Sequence, residues 1–358
     1  MIRIRPGVVS EITSTRPGAT ELLVQVDGRR EKAINYDQLT GPVYAGDHVL
    51  LNTSAVHLGL GTGGYHYVMA NISRPALDPP AGGHIMKMRY APQQVKVLAI
   101  EEPEHPLHDL YSQTADLGGM PVVVASLHSL LAPLAAVLKH LTQEKCRLAY
   151  IMTDGAALPL AFSRSVAELK EKGLLDVTVT CGHAFGGDLE AINVYSALLA
   201  ARGPGRADVA IVAMGPGIVG SNSRFGYTGV EQGEIINAVN ILQGQAIAVP
   251  RLSFADARAR HYGISHHTRT ALGKIALTPS TVVFPALSGE KLALLKEQIA
   301  AAGLERLHRV VFQPAGVLYT ALSRYGLKVS TMGRGLEEDP EFFQAAAAAA
   351  AYTAALLR

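Results

Sequence analysis

From Pro121 onward, short, largely apolar runs alternate with helix-length segments that carry apolar residues at helical spacing. The runs cover residues 122–125, 148–152, 177–179, 209–212, 246–249, 281–284, 309–312 and 327–329. Runs that are continuously apolar, rather than alternating, mark strands buried on both faces, and the helices between them imply parallel crossovers. The pattern predicts an α/β domain with a doubly wound, mostly parallel sheet. Eight strands also fit a (β/α)8 barrel by count. The last unit has only about 15 residues from Phe312 to Leu327, short for a barrel repeat, which favours the open sheet.

The first part of the chain reads differently. Segments 7–12, 21–26, 32–36 and 47–52 are short, partly alternating and separated by Gly, Pro or Asp, with Asp27 and Gly28 forming a hairpin signal. They predict a small antiparallel all-β domain over residues 1–78. A Pro- and Gly-rich linker follows, and the α/β domain is assigned to 84–358. Helices are expected at 127–141, 156–172 and 231–242. A last one has Asp339 as N-cap and Pro340 at its first position, and runs through seven alanines, 345–351.

Composition narrows the partners. Charged residues are 17% and apolar residues 48%, which suits a chain that buries much of itself and suits a homo-oligomer. The 32 basic residues are spread against 30 acidic ones, so neither nucleic acid nor a membrane surface is expected as a partner. No apolar run reaches the roughly 18 to 20 residues that span a bilayer. The N-terminus lacks a signal-peptide core, and two cysteines cannot build a disulfide framework, so a cytoplasmic protein is expected.

In either architecture, ligands bind at the carboxyl ends of the strands. Ser126 and His128 follow the first run, Asp154 the second, and His183 and Asp188 the third. Arg251 and the 265–268 segment, with His266 and His267, follow the fifth. His128, Asp154, His183 and Asp188 are the catalytic candidates. After the fourth run comes a long glycine-rich loop, where Gly215, Gly217 and Gly220 have the spacing of a dinucleotide fingerprint. That fingerprint needs a helix at its third glycine, and here nine residues intervene, so NAD(P) is not favoured. The loop instead offers an anion site from Gly215, Gly217, Gly220, Ser221, Asn222, Arg224 and Thr228, with Ser126 beside it. The histidines and aspartates are also suitable metal ligands, although no compact ligand spacing occurs and no cofactor is specified.

The glycines at 58–64, the segment 84–90 and the Gly215–Gly220 motif resemble a bacterial family catalogued as domain of unknown function 3866. The resemblance covers essentially the whole chain and implies no activity or residue role. The leading expectation is an enzyme binding a small anionic or phosphorylated ligand at the strand ends. The alternatives are a metal-assisted hydrolase and a non-enzymatic sensing or assembly protein.

Overall fold

The protein is described from a computed structural model, covering residues 1–61 and 63–357. Thr62, inside the first glycine-rich stretch, lies outside the described residues. The chain divides into two compact units, Met1–Leu98 with Ala161–Ala167, and Ala99–Leu160 with Glu168–Arg358.

The first unit is built on a closed five-stranded barrel: β1 (Ile4–Arg16), β2 (Ala19–Val26), β3 (Arg29–Tyr36), β4 (His48–Asn52) and β5 (His66–Asn71). The order β1-β2-β3-β5-β4, with β3 and β5 parallel and the other pairs antiparallel, is the Greek-key connectivity of an OB-type barrel. β1 closes it by pairing with β4 through one half and β2 through the other. Two register shifts, at Val9/Glu11 and Ile12/Ser14, let the long strand bend. Val9, Leu22, Val24, Val49, Leu51 and Val68 fill the interior. The segment 161–167 completes this unit. Arg164 reaches Glu21 and the Tyr65 hydroxyl, a contact between residues almost a hundred or more positions apart in sequence.

The second unit is an open, eight-stranded parallel sheet. Its strands are β6 (Pro121–Ala125), β7 (Leu148–Thr153), β8 (Val177–Thr180), β9 (Leu189–Glu190), β10 (Val209–Met214), β11 (Gln245–Val249), β12 (Thr281–Pro285) and β13 (Arg309–Gln313), in the order β9-β8-β7-β10-β6-β11-β12-β13. The sheet is doubly wound and open, which settles the barrel alternative. Seven of the eight apolar runs are strands of it. Residues 327–329 are not, because the chain there leads into a small two-stranded ribbon, Ser330–Thr331 with Arg334–Gly335. The eighth strand is Leu189–Glu190, held at the edge by bonds from the Thr180 hydroxyl and the Gly186 N–H to the Glu190 carboxylate.

The crossovers run from β6 toward β8 in one direction and from β10 toward β13 in the other, which with the usual right-handed crossover divides the helices between the two faces. α1 (Leu131–Leu141) packs against the terminal α5 (Pro340–Leu356), while α2 (Glu231–Ile241) packs against the segment that follows α3 (His266–Thr270). α4 (Gly289–Ala302) joins β12 to β13. Ala345 to Ala350 are completely buried, since small side chains let α5 lie close on the sheet. No helix among the described residues is long and apolar enough to cross a membrane.

Candidate functional site

The strand order reverses between β7 and β10. From β7 the chain leaves toward β8, and from β10 it leaves the other way toward β11, so their carboxyl ends bound the crevice typical of ligand sites in such sheets. Asp154 follows β7, and Gly215 follows β10. A Cβ on Gly215 would lie 2.5 Å from the Ala157 carbonyl oxygen, so glycine alone lets the loop leave the sheet this close to neighbouring backbone.

α2 starts by turning two side chains back over the strand ends. Thr153 donates its hydroxyl hydrogen to Glu231 Oε1 at 2.6 Å. Burial pushes the Glu231 carboxyl up to about 7, and the charges of Asp154 and Glu234 act in the same direction. The side-chain amide of buried Gln232 donates to the carbonyls of Val124 and Val249, each at 2.9 Å, tying the ends of β6 and β11. Its Oε1 and the Oγ of Ser126, which is 2% exposed, have no hydrogen-bond partner among the described residues. Glu231 escapes sequence reading because an acidic residue in the first turn of a helix is ordinary.

The four catalytic candidates fall into three separate groups. Asp154 accepts the backbone N–H of His183 at 2.8 Å, with Gly182 so close that a Cβ there would meet Asp154 Oδ2 at 2.3 Å. His128 places Nδ1 3.1 Å from the Tyr150 hydroxyl, and desolvation lowers its imidazolium to about 4. Asp188 is bound to Lys170 and accepts the N–H and hydroxyl of Thr178, which lies toward the start of β8. It holds its edge of the sheet rather than facing the crevice.

The loop candidates divide as well. Ser221 accepts from the Ser223 N–H, and its own N–H donates to Gly226 O at 2.7 Å; Thr228 N–H donates to Val219 O. Gly220 pairs with Tyr227 across the loop, and Gly217 has φ of 99°. These residues fold the loop on itself. Asn222 and Arg224, at its exposed tip, line a cleft of about 500 Å³ with Arg260, His266, Arg269, Lys274 and Arg306.

That cleft is the most distinctive charged feature of the second unit. Its five Arg and Lys side chains form no ion pair, and no carboxylate lines it among the described residues. Arg258 and Arg334 nearby are different, being bound to Asp256 and Asp339. Arg260 Nε, Arg269 Nε and His266 Nε2 are buried atoms without a hydrogen-bond partner among the described residues. A buried donor left unpaired costs roughly 1–3 kcal/mol, more when charged, and two such guanidinium Nε–H groups belong to side chains that line the cleft. Burial first, then the fields of Arg260 and Arg269, holds the His266 imidazole below its ordinary range, so it is neutral at pH 7. Lys274 is presented by a π-turn, Ala271–Ile275, where His308 donates Nε2–H to the Leu272 carbonyl at 2.9 Å.

Beside the cleft, His261, His266 and His267 bring ring nitrogens within 4.8 Å of one another, a spacing that metal ions use. The chemistry around them opposes a cation. Arg251 lies 3.2 Å from His267 Nδ1 and can only donate to it, which occupies the lone pair of the neutral ring. Burial and then Arg251 lower His267 to about 2, and His261 falls to about 3 for the same reasons. The histidines therefore stand as neutral groups in a positive field that would repel a divalent ion.

Part of this constellation is legible as a local basic density: residues 251–274 carry Arg251, Arg258, Arg260, Arg269 and Lys274 against the single Asp256. Arg224 and Arg306 join it only through the fold. A family model described as "Protein of unknown function (DUF3866)" matches residues 32–350. No curated protein matches the chain.

Proposed function

The chain belongs to the DUF3866 family, whose description carries no activity, and we propose that it binds a small phosphorylated anion in the cleft between the glycine loop and α3. The observation behind this is the meeting of five cations without an ion pair, two of which carry buried, unpartnered Nε–H groups, among the described residues. Guanidinium groups match phosphate oxygens in geometry as well as charge, and their bonds to an anion are about twice as strong as neutral ones. Cys146 and Cys181 are both buried and neither is in a disulfide, which agrees with a reducing, cytoplasmic setting.

Thermal melting across a panel of phosphorylated metabolites, inorganic phosphate and their neutral counterparts tests the reading. A ligand at about 100 times its Kd adds roughly 2.7 kcal/mol and raises Tm by several degrees. Phosphorylated compounds should raise Tm in the wild type and leave Arg260→Gln/Arg269→Gln unmoved. Equal response of the variant would overturn the reading.

One further observation favours an enzyme over a passive binder. Glu231 stands at the switch point with its carboxyl poised near neutrality, where a group can both give and take a proton. Under this reading, turnover of a phosphorylated substrate follows the Glu231 titration, and Glu231→Gln binds the ligand normally but does not turn it over. Full activity in Glu231→Gln would remove Glu231 from the chemistry.

A further inference from the structure

The charge and lining of the cleft specify more than an anion. We infer that its ligand presents two adjacent phosphoryl groups, a diphosphate taken without a divalent metal ion, an inference that rests on the anion reading above. A single phosphoryl group carries about −1.5 to −2 at pH 7, which leaves roughly three of the five cations uncompensated. A diphosphate, with about twice that charge, answers all but one or two of the five. The cations also come from four separate stretches of chain: Arg224 on the glycine loop, Arg260 on the turn Ala259–His261, Arg269 and Lys274 on α3 and its π-turn, and Arg306 beyond the end of α4. At about 500 Å³ the cleft holds far more than one tetrahedral group, since a water molecule takes only about 30 Å³.

The remaining lining says what the ligand lacks. Asn222, Thr270, Ala301, Ala302 and Gly303 offer hydrogen bonds and small surfaces, with no aromatic ring among them. Among the described residues no Phe, Tyr or Trp ring and no apolar slot lines this cleft, so nothing in it singles out a nucleobase. The ligand is recognised at its diphosphate, whether that is free, part of a longer polyphosphate, or the end of an organic molecule that projects outward.

Nor is there provision for magnesium. The ion binds diphosphates in proteins through one or two carboxylates, and no Asp or Glu lines the cleft among the described residues. Five cations supply the neutralisation that the metal supplies elsewhere. The metal-free diphosphate is therefore the better ligand, and magnesium competes with the protein for it.

Calorimetric titration of the intact protein with sodium phosphate, pyrophosphate, tripolyphosphate, AMP and ADP tests this, each with EDTA and with magnesium. Pyrophosphate is expected to bind roughly 10- to 100-fold tighter than phosphate, the worth of added charge-assisted bonds. ADP should match pyrophosphate, AMP should match phosphate, EDTA should change nothing and magnesium should weaken binding. Tripolyphosphate as tight as pyrophosphate or tighter supports a diphosphate unit within a longer chain, and much weaker binding restricts the cleft to two groups, which also supports the inference. The exposed Lys274→Gln and Arg306→Gln should lower the pyrophosphate-to-phosphate affinity ratio. Equal affinity for phosphate and pyrophosphate, or a requirement for magnesium, overturns the diphosphate inference and leaves the anion reading intact. Absence of binding by every anion overturns both.

Discussion

Tyr227 and His267 lie face to face, with ring centroids 3.8 Å apart and planes 1° from parallel, and the Tyr227 hydroxyl donates to the His267 carbonyl at 2.8 Å. One residue ends the glycine-rich loop and the other lies in α3, so the pair fixes the loop that carries Asn222 and Arg224 against the helix that carries Arg269. Stacked rings contribute roughly 0.5–1.5 kcal/mol beyond the area they bury. Tyr227→Ala is expected to lower stability by about 3 kcal/mol and to weaken anion binding more than tenfold. Tyr227→Phe keeps the stack, loses the hydrogen bond, and should cost about 1 kcal/mol with nearly normal binding. Urea unfolding beside a phosphate titration separates the two effects; a Tyr227→Ala variant that binds normally would show that the loop is held by other means.

Glu231 sets a pH dependence of stability. Its folded-state pKa of about 7 lies above the ordinary carboxyl value of 4.5. The folded form therefore holds its proton where the unfolded chain has lost it. Its contribution is complete below about pH 4.5 and is lost as pH rises through about 7, an effect on the order of 3 kcal/mol. Glu231→Gln should flatten this part of the profile, raising stability at pH 8 relative to wild type. The check is chemical denaturation from pH 4 to pH 8, and parallel profiles for the two proteins would contradict the assignment.

His266 couples anion binding to protons. In the empty cleft, burial and four arginines hold its pKa below the ordinary 6.5. A bound anion favours the imidazolium and raises that pKa. Affinity should therefore increase as pH falls through the interval between the bound and free values, with uptake of up to one proton. His266→Asn should remove the uptake. Calorimetry in buffers of different ionisation enthalpy measures it directly, and no uptake at any pH below the ordinary 6.5 in the wild type would exclude His266 from the ligand.

Gly215 controls how the loop leaves β10. Gly215→Ala places a methyl group against the backbone carbonyl of Ala157 and the Met152 sulfur, neither of which can withdraw freely. The expected cost is about 1–3 kcal/mol, as for other overpacked sites, with a displaced loop tip. Differential scanning calorimetry checks it, and an unchanged Tm would mean that the approach is looser than drawn.

Much of this architecture is visible in the chain. The apolar runs from Val122 to Phe312 announce a buried parallel sheet because each side chain must satisfy both faces, and Asp339 with Pro340 marks the start of α5. The eighth strand was misplaced for a physical reason: Leu189–Glu190 is two residues long and secured by Thr180 and Gly186, which leaves no periodicity to read. The loop was visible as a ligand candidate, but its closing residues, Ser221 and Thr228, cannot be told from its open tip, Asn222 and Arg224, without hydrogen bonds. Asp188 resembles a strand-end acid in sequence and is a bracket for Thr178 in space. Arg306, 82 positions beyond Arg224, shares a cleft with it only after the sheet has formed.

The location of the anion tests the central claim most directly. Diffraction from crystals of the protein grown with tungstate, a heavy phosphate mimic, shows the site by its anomalous signal. The account predicts a peak in the cleft lined by Arg224, Arg260, Arg269 and His266, absent in Arg260→Gln/Arg269→Gln. A peak elsewhere with only water in this cleft, or a protein carboxylate filling it, would contradict it.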